Sequence, residues 1–286
     1  EPYKVFTYFA RAFRKTARIK KPLPAPRSLP LPSPEILSAG VSLPTLRSLG
    51  LPNNDLLIQG GEKAARTRLK RFVQHAAGAY SAGRNRMDLH GTSRLSADLK
   101  FGTLSARQVW TTIERKLGDT ESGQTFLNQL IWREFAHSTL WDRPELLTSP
   151  FRPTFVGFPW RDDENHWAAW TSGHTGYPVV DAAARQLLGE GFVHNRARMI
   201  AASFLTKHLL IDYRRGEAHY MKHLVDGDWA QNNAGWQWSA GCGCDAQPYF
   251  RVFNPFTQGE KFDPEGNYVR RWVPELATMP TKFIHR

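Results

Sequence analysis

The amino-acid sequence predicts a mostly α-helical protein, and three observations carry that expectation. From about Gly60 onward apolar residues recur at helical spacing, first as Ala64, Leu69, Phe72, Val73, Ala76 and Ala77, then as Leu104, Val109, Trp110, Ile113 and Leu117. No strand–helix alternation of the kind that builds a parallel sheet is visible in the sequence. Around residues 126–137 a period of 3.6 puts Gln129, Trp132, Arg133 and Ala136 on one face and Leu127, Ile131 and Phe135 on the other. One face of that helix packs, and the other is free to work.

The elements follow in order. Residues 1–21 form a short aromatic and basic opening, and residues 1–27 hold eight Lys/Arg against Glu1, so +7 of the net charge of +12 sits there. Part of the basicity therefore belongs to an arm, although the total still implies an anionic partner, most simply nucleic acid. Residues 22–59 read as a connector: Pro22-Leu23-Pro24-Ala25-Pro26 and Leu29-Pro30-Leu31-Pro32 carry proline at a density that excludes regular helix. Residues 60–286 form the helical body, for which 286 residues with 41% hydrophobic and 12% aromatic content are ample. Cys242 and Cys244, in Gly-Cys-Gly-Cys, are too few for a four-cysteine cluster and too close for a disulfide framework, so reduced structural thiols are expected. No apolar run is long enough to span a bilayer, and Glu1-Pro2-Tyr3 does not open a signal peptide. The expectation is a monomeric cytoplasmic protein with access to DNA, with no membrane partner and no metal.

The most unusual stretch is Asp226-Gly227-Asp228-Trp229-Ala230-Gln231-Asn232-Asn233-Ala234-Gly235-Trp236-Gln237-Trp238, which packs two acids, adjacent amides and three indoles into thirteen residues. In a core each of these polar groups needs a partner or incurs a desolvation cost, and a large heteroaromatic ligand supplies such partners. Further segments stand out in order: Pro2-Tyr3-Lys4-Val5-Phe6-Thr7, Gly91-Thr92-Ser93-Arg94-Leu95-Ser96, Gln129-Leu130-Ile131-Trp132-Arg133-Glu134-Phe135, Thr175-Gly176-Tyr177-Pro178-Val179-Val180-Asp181-Ala182, His194-Asn195-Arg196-Ala197-Arg198-Met199 and Phe253-Asn254-Pro255-Phe256-Thr257-Gln258-Gly259-Glu260-Lys261-Phe262. Gly91–Ser96 by itself offers a glycine, three hydroxyls and free amides before a helical stretch, a way to cradle phosphate, though a Thr-Ser pair there also reads as a plain N-cap.

Taken together the ordered series resembles the FAD-binding domain of the photolyase/cryptochrome family, most closely the class I type that repairs cyclobutane pyrimidine dimers. The resemblance implies a helical FAD-binding fold without the family's N-terminal α/β antenna domain, hence no antenna chromophore on this chain, and an end short of the usual C-terminal helices. It implies reduced FAD as the working cofactor, with Tyr80, Thr92, Ser93, Leu95, Ser96, Arg133, Asn195, Arg198, Asp226, Asp228 and Asn232 around it. The Arg198–Asp226 pair reads equally well as purely structural. Gln129, Trp132, Asn195, Met199 and Trp238 would meet the lesion in UV-damaged DNA, Arg84, Arg196 and Gln258 the DNA backbone, and Trp236, Tyr213 and Trp160 would relay electrons to the flavin.

Two of these positions depart from the family pattern. Most dimer-repairing relatives have Glu where Gln129 stands, and Gln donates an N–H but supplies no proton. The middle relay position is Tyr213 instead of the usual Trp, and a tyrosine loses an electron readily only if its phenol proton can leave. Asn195 and Met199 replace the paired histidines of relatives that repair 6-4 photoproducts, and neighbouring His194 reads as structural. The implied activity is light-driven repair of cyclobutane dimers. The rivals are a cryptochrome-type receptor without repair, a 6-4 enzyme, and a flavin-free DNA-binding remnant.

Overall fold

The helical spacing becomes fourteen α-helices, with no strand, among the described residues of the computed structural model, which are 2–249 and 251–286. In chain order they are α1 (Phe6–Thr16), α2 (Pro34–Ser38), α3 (Glu62–His75), α4 (Tyr80–Gly83), α5 (Ser96–Phe101), α6 (Ala106–Leu117), α7 (Glu121–Asp142), α8 (Glu164–Ser172), α9 (Pro178–Glu190), α10 (Asn195–Lys207), α11 (Tyr213–His223), α12 (Trp229–Ala240), α13 (Pro255–Phe262) and α14 (Asn267–Trp272). The working helix read at 126–137 is thus part of the 22-residue α7, started by Thr120, whose hydroxyl accepts from the Gly123 N–H at 3.0 Å. Gly123 is obligatory there, because a Cβ would lie 1.8 Å from the Leu117 carbonyl where α6 ends.

One expectation is corrected in the connector. Proline does not exclude helix from all of residues 22–59: α2 forms because Ser33 accepts from the Ile36 N–H at 3.5 Å and Pro34 occupies the first helical position, where its missing N–H costs nothing. The leucines around it are largely exposed, so α2 adds no core.

The apolar faces assemble two cores. The first joins α1, α3, α4, α6 and the first half of α7 through Leu69, Phe72, Ile113, Leu127 and Ile131. The second joins α8 to α14 through Trp170, Val180, Ile200, Leu205, Trp236 and Val269. Fully buried aliphatics such as Ile113, Leu127, Ile131 and Leu205 are each worth about 2–5 kcal/mol against alanine. Helix α12 belongs to the second core yet also packs on α7, so the polar faces of these two helices are held opposite each other between the cores. None of the helices is long and apolar enough to cross a membrane among the described residues.

Candidate functional site

Between the cores lies a cavity of about 560 Å³ bounded by α4, the 91–96 loop, α7, α10 and α12. The loop reaches it because Gly91 has no side chain: a Cβ would stand 2.7 Å from the Gly83 carbonyl. Arg94 adopts the left-handed φ of +52°, a local strain held by an ion pair to Glu190 at 2.8 Å and by stacking of its guanidinium 4.4 Å over Phe192. Thr92 and Ser93 are not the ordinary helix cap. The N-cap of α5 is Leu95, no side chain among the described residues bonds the α5 amides, and Ser93 Oγ accepts weakly from the Leu95 N–H at 3.4 Å. Thr92, Ser93, Leu95 and Ser96 all line the cavity, as does Tyr80, whose buried phenol is pushed above its ordinary pKa by burial against the opposing charge of Arg84.

Helix α7 presents Gln129, Trp132 and Arg133 to the same space. The Gln129 amide donates to the Thr125 carbonyl at 3.3 Å, one turn back on its own helix. Phe6 of α1 lies flat on Trp132, centroids 3.7 Å apart and planes 6° from parallel. Arg133 pairs with Glu134 at 3.0 Å, and its carbonyl accepts from the Gln231 amide at 3.0 Å, tying α7 to α12.

Opposite, α10 brings Asn195 and Met199 to the cavity one turn apart, the Asn195 amide 3.6 Å from the Met199 sulfur. His194 caps α10, Nδ1 accepting from the Arg196 N–H at 3.1 Å. Burial, together with Arg196, Arg198 and Arg94, drops its pKa to about 4, so the ring is neutral at pH 7. Arg198 donates to both oxygens of buried Asp226 at 2.8 and 2.9 Å and to the Val193 carbonyl at 2.8 Å. Asp228 is the N-cap of α12, accepting from the Gln231 N–H at 2.9 Å, and lies 3.3 Å from His137 Nε2. Burial pushes the Asp228 carboxyl up, but the bonds from His137 and Gln231 with the charges of His137 and Arg133 outweigh it, and the net pKa is lowered. Asn232 lines the cavity and donates an amide N–H to the Glu217 carbonyl at 2.9 Å, which leaves its side-chain oxygen as an acceptor. Trp236 and Trp238 complete that wall.

The structure does not bring every candidate to the cavity. Tyr213 and Trp160 lie behind it, their rings 6.4 Å apart, while the ring neighbours of Trp236 are Tyr220 at 5.2 Å and Trp170 at 6.0 Å. The Tyr213 hydroxyl is buried without a partner, and burial, with Cys242 and Glu217, pushes its pKa up. Arg84 lines the cavity; Arg196 and Gln258 stand outside its lining. Arg196 donates to Asn85 at 2.8 Å, stacks 4.3 Å over Phe262, and has its pKa lowered by burial and by the fields of Arg84 and Arg251. Three guanidiniums near one another leave a basic face open to an anion.

Sequence reasoning missed Glu217. It is buried, accepts from the Asn233 amide at 3.0 Å, and its pKa rises to about 7 through burial, opposed by the Asn233 bond and helped by Asp212. Its place among Tyr213, Gly216 and Tyr220 on the buried stripe of α11 is the signal that was present. A larger cavity of about 780 Å³, behind the 92–94 loop, is lined by α3 and α14 residues such as Arg71 and Trp272; neither α7 nor α12 contributes, so it is not where the candidates converge. No group of three His, Cys, Asp or Glu suited to a metal occurs among the described residues, and both cysteines are free.

The cavity's donor set fits a flavin dinucleotide. Hydroxyls of the 92–96 loop and its amides, of which only that of Leu95 has a partner among the described residues, suit a diphosphate, the Arg198–Asp226 pair and the Asn232 oxygen suit ring edge polar atoms, and the buried Tyr220 hydroxyl on the lining lacks a partner among the described residues. Comparison with known proteins agrees. Residues 126–286 match a family model described as the FAD binding domain of DNA photolyase. Escherichia coli K12 deoxyribodipyrimidine photo-lyase is 44% identical over 100% of this chain and 61% of its own length. A bacterial class III photolyase from Agrobacterium tumefaciens superposes with a TM-score of 0.91 at 42% identity, covering 100% of this chain and 60% of its own. A cryptochrome from Synechocystis superposes at 0.82 with 32% identity, covering 99% and 60%. The chain thus spans about three fifths of the length of the relatives it matches.

Proposed function

Because the chain belongs to the family of FAD-binding domains of DNA photolyases, we propose that it binds FAD and carries out light-driven repair of cyclobutane pyrimidine dimers in DNA. The observation that carries this reading is the convergence of Gln129, Trp132, Asn195, Met199 and Trp238 on the same cavity as the Thr92–Ser96 loop, the Arg198–Asp226 pair and Asn232. When bound and reduced, FAD supplies the electron that opens the cyclobutane ring and receives it back. The protein's share is binding and orientation. Thr92, Ser93 and the amides of Leu95 and Ser96 would hold the diphosphate, Arg198 and Asp226, with Arg133 and Asp228, would hold the ring system, and the Asn232 oxygen would serve as an acceptor for it. Arg84, Arg196 and Gln258 grip DNA phosphates while the dimer swings out of the duplex between Trp132 and Trp238.

Gln129 donates an amide N–H to the dimer carbonyl when it releases Thr125, and Asn195 and Met199 form a neutral wall. That wall is what favours the cyclobutane lesion over a 6-4 product, whose repair needs an acid: His194 is neutral, capping α10 and outside the cavity lining. One observation favours a second reading, a receptor without repair: the Gln129 amide is turned onto its own helix.

An anaerobic assay decides between them, with chemically reduced protein, DNA bearing a single thymine dimer, blue light and a dark control. Restoration of thymines only in the light is the expected result. Bound flavin with no dimer split overturns the repair reading and leaves the receptor; purified protein without flavin colour overturns both.

A further inference from the structure

The segment Pro2–Thr7 carries a task of its own: we propose that Phe6 is a positioning residue that fixes the plane of Trp132 and so shapes the wall on which a flipped-out base stacks. The proposal rests on the repair reading above and deepens it. Phe6 is the first residue of α1, and its ring lies on one face of the Trp132 indole at 3.7 Å and 6°, while Phe135 closes the indole edge at 5.8 Å and 70°. With one face and one edge taken, the remaining face is what Trp132 offers to the cavity it lines. A bare indole turns about its side-chain torsions; one clamped between two rings does not.

Phe6 is itself held from a distant part of the chain. Its backbone N–H donates to the Asp245 carboxylate at 3.3 Å, and the Cys244 thiol donates to the Lys4 carbonyl at 3.3 Å. Residues 244 and 245 lie three and four positions past Gly241, the C-cap of α12, the helix that bears Trp236 and Trp238. The α1 start therefore links the two aromatic walls of the cavity: it is pinned to the tail of one and stacked on the other. Asp245 takes the left-handed φ of +49°, so the pin is kept at a conformational cost that plain packing does not require.

Two readouts on the FAD-loaded protein test this. The first is dark binding to a duplex with one thymine dimer and to the same duplex undamaged; the second is the 19F NMR signal of Trp132 in 5-fluorotryptophan-labelled protein, assigned by Trp132→Phe. Phe6→Leu, which keeps apolar bulk but loses the flat face, is expected to shift or broaden the Trp132 signal while sparing Trp110, and to weaken dimer binding roughly five- to tenfold. Binding to undamaged duplex stays unchanged, and Phe6→Tyr restores both readouts. Asp245→Gly, which tolerates the positive φ and removes the pin, moves both in the same direction by less. The proposal is overturned if the Trp132 signal ignores Phe6→Leu and Asp245→Gly, or if both duplexes weaken together. A wild-type protein that does not prefer the damaged duplex sinks the repair reading instead, and the 19F signal still decides whether Phe6 governs Trp132.

Discussion

Glu217 makes the stability of this protein depend on pH in a direction opposite to that of an ion-paired carboxylate. Its pKa rises from the ordinary 4.5 to about 7 in the folded chain, because α12 buries it and Asp212 adds like charge. A carboxyl raised on folding stabilises when protonated: the contribution is fully present below about 4.5 and is lost as pH rises through about 7. Across that gap, at about 1.4 kcal/mol per pH unit, the loss is about 3 kcal/mol. Glu217→Gln mimics the protonated form and keeps an acceptor for the Asn233 amide, so its stability lacks this slope. Urea unfolding followed by tryptophan fluorescence between pH 5 and 8.5 provides the test, read as the difference between the two proteins. His194 and His219, both near 4 when folded, lose stability as pH falls from 6.5 towards 4, but they are common to both proteins and cancel. The variant's advantage over the wild type is expected to grow by about 2–3 kcal/mol between pH 5 and pH 8, the first part of the loss having already fallen between pH 4.5 and 5. A difference that stays constant across the range refutes the argument.

Gly216→Ala puts a Cβ 2.3 Å from the Trp236 ring and 2.6 Å from Leu205, so the indole must move; urea melts are expected to show a loss of about 1–3 kcal/mol, together with reduced flavin retention on a desalting column. Tyr213→Trp replaces a buried phenol whose proton has no acceptor with a ring that gives up an electron without losing a proton; blue-light reduction of the bound flavin in the presence of a thiol is expected to become several-fold faster, and an unchanged rate removes Tyr213 from the relay. Arg84→Ala is expected to weaken binding to damaged and undamaged duplex alike and to lower the slope of log K against log salt by about 1; a loss confined to damaged DNA contradicts a phosphate contact.

How much of this could be read in the sequence depends on the range of the interaction involved. Helix α7 was legible because Leu127, Ile131 and Phe135 repeat within the chain itself, and that period also separated Gln129, Trp132 and Arg133 onto the working face. Helix α2 was not, because proline density outweighed the single local cue of Ser33 before Pro34. The pairing of Phe6 with Trp132 joins residues more than a hundred positions apart, and no local pattern encodes it. Glu217 is the sharper case: in sequence it is an ordinary helix carboxylate, and only the approach of α12 with Asn233 makes it a group that titrates near neutrality.

Three acidic residues in or beside the cavity are each compensated, which lets it suit an anionic ligand: Asp226 and Asp228 line it, and Glu217 is buried against Asn232 and Asn233. Asp226 is matched by the two bonds from Arg198, Asp228 by His137 and the Gln231 N–H, and Glu217 by a proton up to about pH 7. Each is thereby removed from the field at the ligand, whereas Arg84 lines the cavity with no ion pair among the described residues. A diphosphate entering beside the Thr92–Ser96 loop would therefore meet backbone amides with no bare negative charge opposite, while Arg84 stays available to the DNA backbone. Losing one partner undoes this locally: Arg198→Ala would leave buried Asp226 uncompensated, and urea melts are expected to show a loss of about 3–5 kcal/mol together with weaker flavin retention, whereas a double replacement of Arg198 and Asp226 by apolar residues is expected to cost less stability because it also removes the pair's desolvation cost.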